Sequence, residues 1–201
     1  MWSVERSQEI AREFMLGSGD RWSHTVAVGQ AAEQLAEQSD LVTDVLISAA
    51  WVHDIGYAAE LVDSGMHAVD GARALLRLGA PDRVVALVAH HTGARLEAEE
   101  RGLLSEWMEM PTPNRLSLDI LTLIDLSTSP TGQPVMAVDR ITEILNRYDD
   151  DHPVHRAVTR SQGELLASSA RGRTVLGLAD DWPIGSAQSV RDAEPHRRMQ
   201  F

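Results

Sequence analysis

Apolar residues recur at helical spacing along most of the chain, and this period limits the fold more than any other feature of the sequence. Stripes at i, i+3 or i+4 and i+7 run through successive segments, with charged residues on the opposite faces. Stretches rich in Gly, Pro and Asp, such as 17–20, 79–82 and 111–113, separate the segments. We find neither an internal repeat nor the alternation of a half-buried strand, so the pattern predicts an all-α fold.

Three of these stripes carry a polar residue where a hydrocarbon side chain is expected. His24, His53 and Asp125 each lie on the apolar face of a predicted helix, and Asp54 directly follows His53. Burying such groups without partners is unfavourable, so a shared partner is needed. A divalent metal ion held by these two imidazoles and two carboxylates satisfies all four.

Further histidines occupy the next two predicted helices. His67 begins one apolar stripe, His91 ends the following one, and His90 lies beside it. His67 with His90 or His91 can bind a second ion, and Asp54 can bridge the two. Two ions that share a carboxylate lie roughly 3.5–4 Å apart, the separation used in two-metal phosphoester hydrolysis.

The composition of the chain excludes several kinds of metal site and several classes of enzyme. The chain has no Cys, and all 18 of its basic residues are Arg. This excludes thiolate metal sites, cysteine nucleophiles, Schiff-base lysines and the P-loop lysine. The expected cofactor is therefore one or two divalent transition metals bound by His and carboxylate, Fe or Mn first, with Co, Ni, Zn and Mg as alternatives. A formal net charge of -12 predicts no nucleic-acid or membrane partner.

The order His24, His53-Asp54 and Asp125 resembles the signature of the HD-domain metal-dependent phosphohydrolase superfamily, over about residues 20–130. The resemblance implies a helical bundle with a central metal site in which these four residues hold one ion. It also implies hydrolysis of a phosphate ester or anhydride by a metal-activated water.

A narrower resemblance concerns the segments 67–72, 90–93 and 124–126, which are similar to the di-iron HD enzymes that cleave diadenosine tetraphosphate symmetrically. This resemblance implies that His67 and His90 complete the second site. The loop after Asp125 reads Ser-Thr-Ser-Pro, which departs from that branch and leaves the substrate open.

We therefore predict a phosphohydrolase that acts on a small phosphorylated metabolite, a nucleotide or dinucleotide. Asp54 and His91 are the predicted catalytic residues, with His91 either a ligand or a proton donor. Arg21, Trp22 and Arg95 are predicted to bind the substrate, the arginines through phosphate. Two alternatives remain: a di-iron oxygenase of the same superfamily, whose expected Lys is missing, and a metal-bound ligand sensor without turnover.

The predicted organisation is one helical domain over residues 1–170, with its core at about 20–130, followed by an irregular tail over 171–201. The N-terminal residues have an amphipathic pattern instead of that of a signal peptide, and no apolar run approaches the roughly 20 residues of a membrane span. These features predict a cytoplasmic protein. A homodimer is possible, and these features do not decide the oligomeric state.

Overall fold

The computed structural model describes residues 1–185, and within this range it contains α-helices and no β-strand, which confirms the all-α prediction. The helices are α1 (Val4–Met15), α2 (Asp20–Ala36), α3 (Asp44–Val52), α4 (His67–Arg77), α5 (Asp82–His90), α6 (Ala94–Arg101), α7 (Leu104–Met108), α8 (Arg115–Leu126), α9 (Ala137–Arg147) and α10 (Pro153–Val175). No helix in the described part of the chain has both the length and the apolar character that crossing a bilayer requires.

Side-chain caps fix the starts of three helices. The Ser3 hydroxyl accepts the backbone N–H of Arg6 at the start of α1, and the Asn114 side chain accepts that of Ser117 at the start of α8. Such caps satisfy backbone donors that the helix itself leaves unpaired. At α10 the cap is the imidazole of His152, which is followed by a proline at the first helical position.

Helix α3 forms the centre of the bundle. Every residue from Leu46 to Val52 is buried, and the helix packs against α1, α2 and α5. Gly29 of α2 makes room for the Trp51 indole, because a Cβ at position 29 would lie 2.4 Å from the ring. This packing places the residues that follow α3, His53 and Asp54, in the interior of the protein.

Helix α4 packs directly on the backbone of the turn that follows α3. A Cβ on Gly56 would lie 2.0 Å from the carbonyl oxygen of His67 and 2.6 Å from the backbone nitrogen of Gly71. The loop before α4 is tied to the same helix, since the Asp70 carboxylate accepts the backbone N–H groups of residues 63–65. These contacts hold His67 close to Asp54.

Helix α10 lies along α8 and closes the bundle. The buried Asp119 carboxylate of α8 accepts hydrogen bonds from Ser168 and Arg171, and Gly172 packs against the Asp119 backbone. These contacts explain why the helix continues to Val175, beyond the predicted boundary at residue 170. The last part of the predicted tail, 186–201, lies outside the described residues.

Candidate metal centre

Three polar side chains from three helical segments meet in the core. His24 comes from α2, His53 caps the C-terminus of α3, and Asp125 lies in the last turn of α8. The Nε2 atom of His24 lies 3.1 Å from Oδ1 of Asp125 and 3.3 Å from Nε2 of His53. All three side chains are buried. We call them the first ligand group.

A second set lies beside the first. Asp54, His67 and His91 place one candidate ligand atom each within 4.8 Å of the others. The Nε2 atoms of His67 and His91 are 3.2 Å apart, and Oδ1 of Asp54 lies 3.7 Å from the former and 3.8 Å from the latter. We call these residues the second ligand group.

Asp54 lies between the two groups. Its Oδ1 faces His67 and His91, whereas its Oδ2 lies 3.7 Å from Nε2 of His53. Oδ2 also accepts a hydrogen bond of 2.9 Å from Arg21. A carboxylate with one oxygen toward each set of imidazoles has the position that a bridging ligand needs.

The orientation of the rings shows that these residues fit metal ions. The Nδ1 atoms of His24, His53 and His91 face the carbonyl oxygens of Ser129, Ala50 and Val88 at 3.1, 2.8 and 2.6 Å. A ring nitrogen that faces a carbonyl donates its proton there, so in the neutral ring Nε2 is the atom with the free lone pair. The lone pairs of His24 and His53 converge in the first ligand group, and that of His91 points to Nε2 of His67 in the second. A cation between them relieves their mutual repulsion.

Ionisation within the site also suits metal binding. Burial lowers the pKa of His53, and it lowers the pKa of His67 to about 4. Burial alone would raise the pKa of Asp54 and Asp125, but neighbouring imidazoles, and Arg21 at Asp54, hold both well below the usual range. The same two carboxylates outweigh burial at His91 and raise its pKa. The site thus favours neutral His53 and His67 beside ionised carboxylates, the forms that bind metal, and an ion bound at His91 would compete with a proton.

Thr92 is a site residue that the sequence did not reveal. Its backbone has φ 41° and ψ 53°, in the left-handed region that non-glycine residues rarely adopt. This conformation directs the hydroxyl to Oδ2 of Asp125, to which it donates a hydrogen bond. In the sequence, Thr92-Gly93 gives only the signal of a helix end.

The structure places three of the predicted site residues away from the metal centre. His90 belongs to neither ligand group, because its ring packs against Trp107 with the ring centroids 4.3 Å apart. Helix α5 ends at His90, so the adjacent His91 turns toward His67 in its place. Arg95 lines a separate cavity with His90 and Trp107, and Trp22 packs against the main hydrophobic core. Neither lines the pocket at the metal centre.

A pocket leads from the metal centre to the surface between the bundle and helices α9 and α10. Arg21, which the sequence analysis assigns to substrate binding, borders it, with its guanidinium 3.3 Å from the centroid of the Tyr57 ring. That ring in turn stacks on His67 with a centroid separation of 4.2 Å. Arg140 and Arg147 of α9 and the following Tyr148 also line the pocket, and no sequence pattern connects them with the histidines.

The comparison with protein families agrees with this picture. The family model described as HD domain matches residues 21–127, which include all six residues of the two ligand groups. A tRNA (cytidine(56)-2'-O)-methyltransferase of Thermoplasma volcanium is 36% identical over 78 residues, or 39% of this chain. The chain spans only 22% of that relative's length. No solved structure matches the chain significantly.

Proposed function

The chain belongs to the HD domain family, and from this premise we propose that it is a metal-dependent phosphohydrolase. Its proposed substrate is a small phosphate ester or anhydride, a nucleotide or dinucleotide. The observation that carries the proposal is the position of Asp54, which has one oxygen toward each ligand group. Two adjacent cation sites that share a carboxylate suit phosphoryl chemistry.

The proposed first site is formed by His24, His53 and Asp125, with Asp54 as its fourth ligand. The proposed second site is formed by Asp54, His67 and His91. Lewis-acid activation of water and neutralisation of charge on phosphoryl oxygens are what divalent ions supply when bound in such a pair. A ligand set of imidazoles and carboxylates suits Fe and Mn, which are the proposed metals, and Co, Ni, Zn and Mg are the alternatives.

The remaining side chains bind the substrate and keep the ligands in place. Arg21 lies at the edge of the pocket with its guanidinium on Asp54, where it can donate to a phosphoryl oxygen. Thr92 and the Ser129 carbonyl hold Asp125 and His24 in their orientations. The Nδ1 atom of His91 faces the Val88 carbonyl oxygen, and its Nε2 atom faces His67. We therefore assign His91 as a metal ligand and not as the proton donor.

The experiment is a screen of purified protein, loaded with Mn²⁺ or Fe²⁺, against phosphate esters, nucleotides and dinucleotides. We expect metal-dependent release of phosphate or a nucleotide product, and loss of that release in Asp54→Ala. The matched control is Asp40→Ala, which removes an exposed aspartate from the loop before α3 and should leave turnover unchanged.

The same screen decides between the alternatives. If dioxygen is consumed while no phosphoryl bond is cleaved, the oxygenase replaces the proposal. If ligands bind the loaded protein and nothing is turned over, the sensor replaces it. The methyl transfer in the name of the Thermoplasma relative is not part of the proposal, because the shared segment covers 22% of that enzyme. A cytoplasmic location and the lack of a nucleic-acid partner remain predictions.

A further inference from the structure

Helix α9 lies beyond the segment that matches the family, yet it supplies two arginines to the pocket at the metal centre. Arg140 is buried, with 9% of its surface exposed, and Arg147 lies two turns further along the same helix. Both side chains also line a groove that continues past Pro130 and Thr131. The two arginines therefore stand where a substrate would extend away from the ions.

Arg140 has unused hydrogen-bonding capacity. Among residues 1–185 its buried Nε finds no hydrogen-bond partner, whereas its Nη1 donates to Glu143. A guanidinium has five N–H donors, and a buried donor without an acceptor is unfavourable and rare in native proteins. An acceptor supplied by a ligand would satisfy it.

The charge around Arg140 favours an anion. Glu143 also accepts from Arg147, at 2.6 and 2.7 Å from Nη2, so one carboxylate is shared by two guanidinium groups. Of the acids that line the pocket itself, Asp54 and Asp125 face the two ligand groups, and Glu97 is already paired with Arg101 at 2.7 Å. Helix α9 therefore presents an excess positive charge to the pocket.

We propose that Arg140 and Arg147 form a second anion subsite, which binds a phosphoryl group of the substrate other than the one at the ions. Planar guanidinium groups suit this role, since each can donate two parallel hydrogen bonds to phosphate oxygens. The substrate class is then a molecule with two or more linked phosphoryl groups, as opposed to a simple monoester. This inference rests on the proposed function and makes its substrate more specific.

The test compares two probes, inorganic phosphate and inorganic pyrophosphate, on the Mn²⁺-loaded protein. Calorimetric titrations are run in the same excess of Mn²⁺, and the metal content of the protein is checked after each. We expect pyrophosphate to bind at least about tenfold more tightly than phosphate. Arg140→Gln should remove roughly ten- to hundredfold of pyrophosphate affinity and little of phosphate affinity, because charge-assisted hydrogen bonds are lost.

Two further variants keep the test valid if Arg140→Gln folds poorly. The Arg147 side chain is one-third exposed, so Arg147→Gln should fold normally. It should weaken the binding of pyrophosphate about three- to fivefold. Arg83→Gln removes an exposed arginine from α5 and is the matched control for loss of one charge. It should change neither affinity by more than about twofold.

Glu143→Gln separates ligand binding from a purely structural ion pair. Removing this carboxylate leaves both arginines in place, so pyrophosphate affinity should hold or rise. If Arg140→Gln and Arg147→Gln both keep the wild-type preference for pyrophosphate, the subsite is wrong, whether or not the enzyme is active. If the preference depends on Arg140 but no substrate is hydrolysed, the subsite stands and the proposed hydrolase activity is wrong.

Discussion

Substituting Gly56 by alanine should remove the second metal site and spare the first. The added Cβ would lie 2.0 Å from the His67 carbonyl oxygen, and restoring an ordinary contact of 3.4 Å requires a shift of about 1.4 Å. Because the obstacle is backbone, the start of α4 must move as a unit, and His67 moves with it. The Nε2 atoms of His67 and His91, now 3.2 Å apart, would then no longer converge on one ion.

The first ligand group uses α2, α3 and α8, and its proposed fourth ligand, Asp54, precedes Gly56 in the turn, so no ligand of the first site belongs to α4. We therefore expect the metal content of Gly56→Ala to fall from two ions to one per chain. Overpacking of this kind costs about 1–3 kcal/mol of unfolding free energy. For a chain of this size the melting temperature should fall by roughly 2–12 °C. Elemental analysis of the dialysed protein and thermal melts followed by circular dichroism measure both effects.

Two comparison variants make the result interpretable. Gly163→Ala adds the same methyl group to an exposed position of α10 with nothing within 4 Å, so it should keep both ions and not lower the melting temperature. His67→Ala removes the ligand without the clash. If Gly56→Ala keeps two ions and has the melting temperature of the wild type, Gly56 does not set the position of α4. If His67→Ala also keeps two ions, the second site itself is wrong.

Two other predictions concern neighbouring parts of the fold. His91→Ala should lose one bound ion whereas His90→Ala should keep both, because only His91 faces His67; equal metal content in the two purified variants would contradict this assignment. Asp119→Asn removes the charge that pairs with Arg171 and should lower the unfolding free energy by about 1–2 kcal/mol at neutral pH. The loss is no larger because Arg171 is partly exposed, and solvent screens the ion pair. Although burial opposes it, the hydrogen bonds from Arg171 and Ser168 lower the pKa of Asp119, so this stabilisation is present above the ordinary carboxyl pKa of about 4 and is lost as the pH falls further. Denaturant titrations of both proteins at several pH values test this, and a difference that persists at the lowest pH would refute it.

Helical period predicts most of the helices and the buried faces of those that form the site. It placed His24, His53 and Asp125 on inward faces, and the structure brings these three side chains together. The period also placed His91 on the apolar stripe of its helix, whereas the narrower family resemblance favoured His90. The structure agrees with the stripe, because His91 begins the turn after α5 and points into the pocket.

Other parts of the site depend on contacts that no local pattern contains. Arg140 and Arg147 reach the pocket only because α9 packs on α8 and α10, elements that come before and after it in the chain. The left-handed backbone of Thr92 likewise results from the turn between two helices, and a threonine gives no signal for it. Nearness in sequence to site residues is the basis for predicting Trp22 and Arg95 as substrate-binding residues, but the helices direct both side chains elsewhere.

The carbonyl contacts of His24, His53 and His91 have a consequence for the entropy of metal binding. Each ring is already confined to one rotamer by its own backbone partner, so an arriving ion does not have to order it. Ordering a side chain at a binding site costs about 0.5–1.5 kcal/mol, and three rings avoid that cost. The protein should thus bind its ions as a pre-organised receptor that stays folded when they are stripped. In this it differs from small zinc domains, which fold only around their metal.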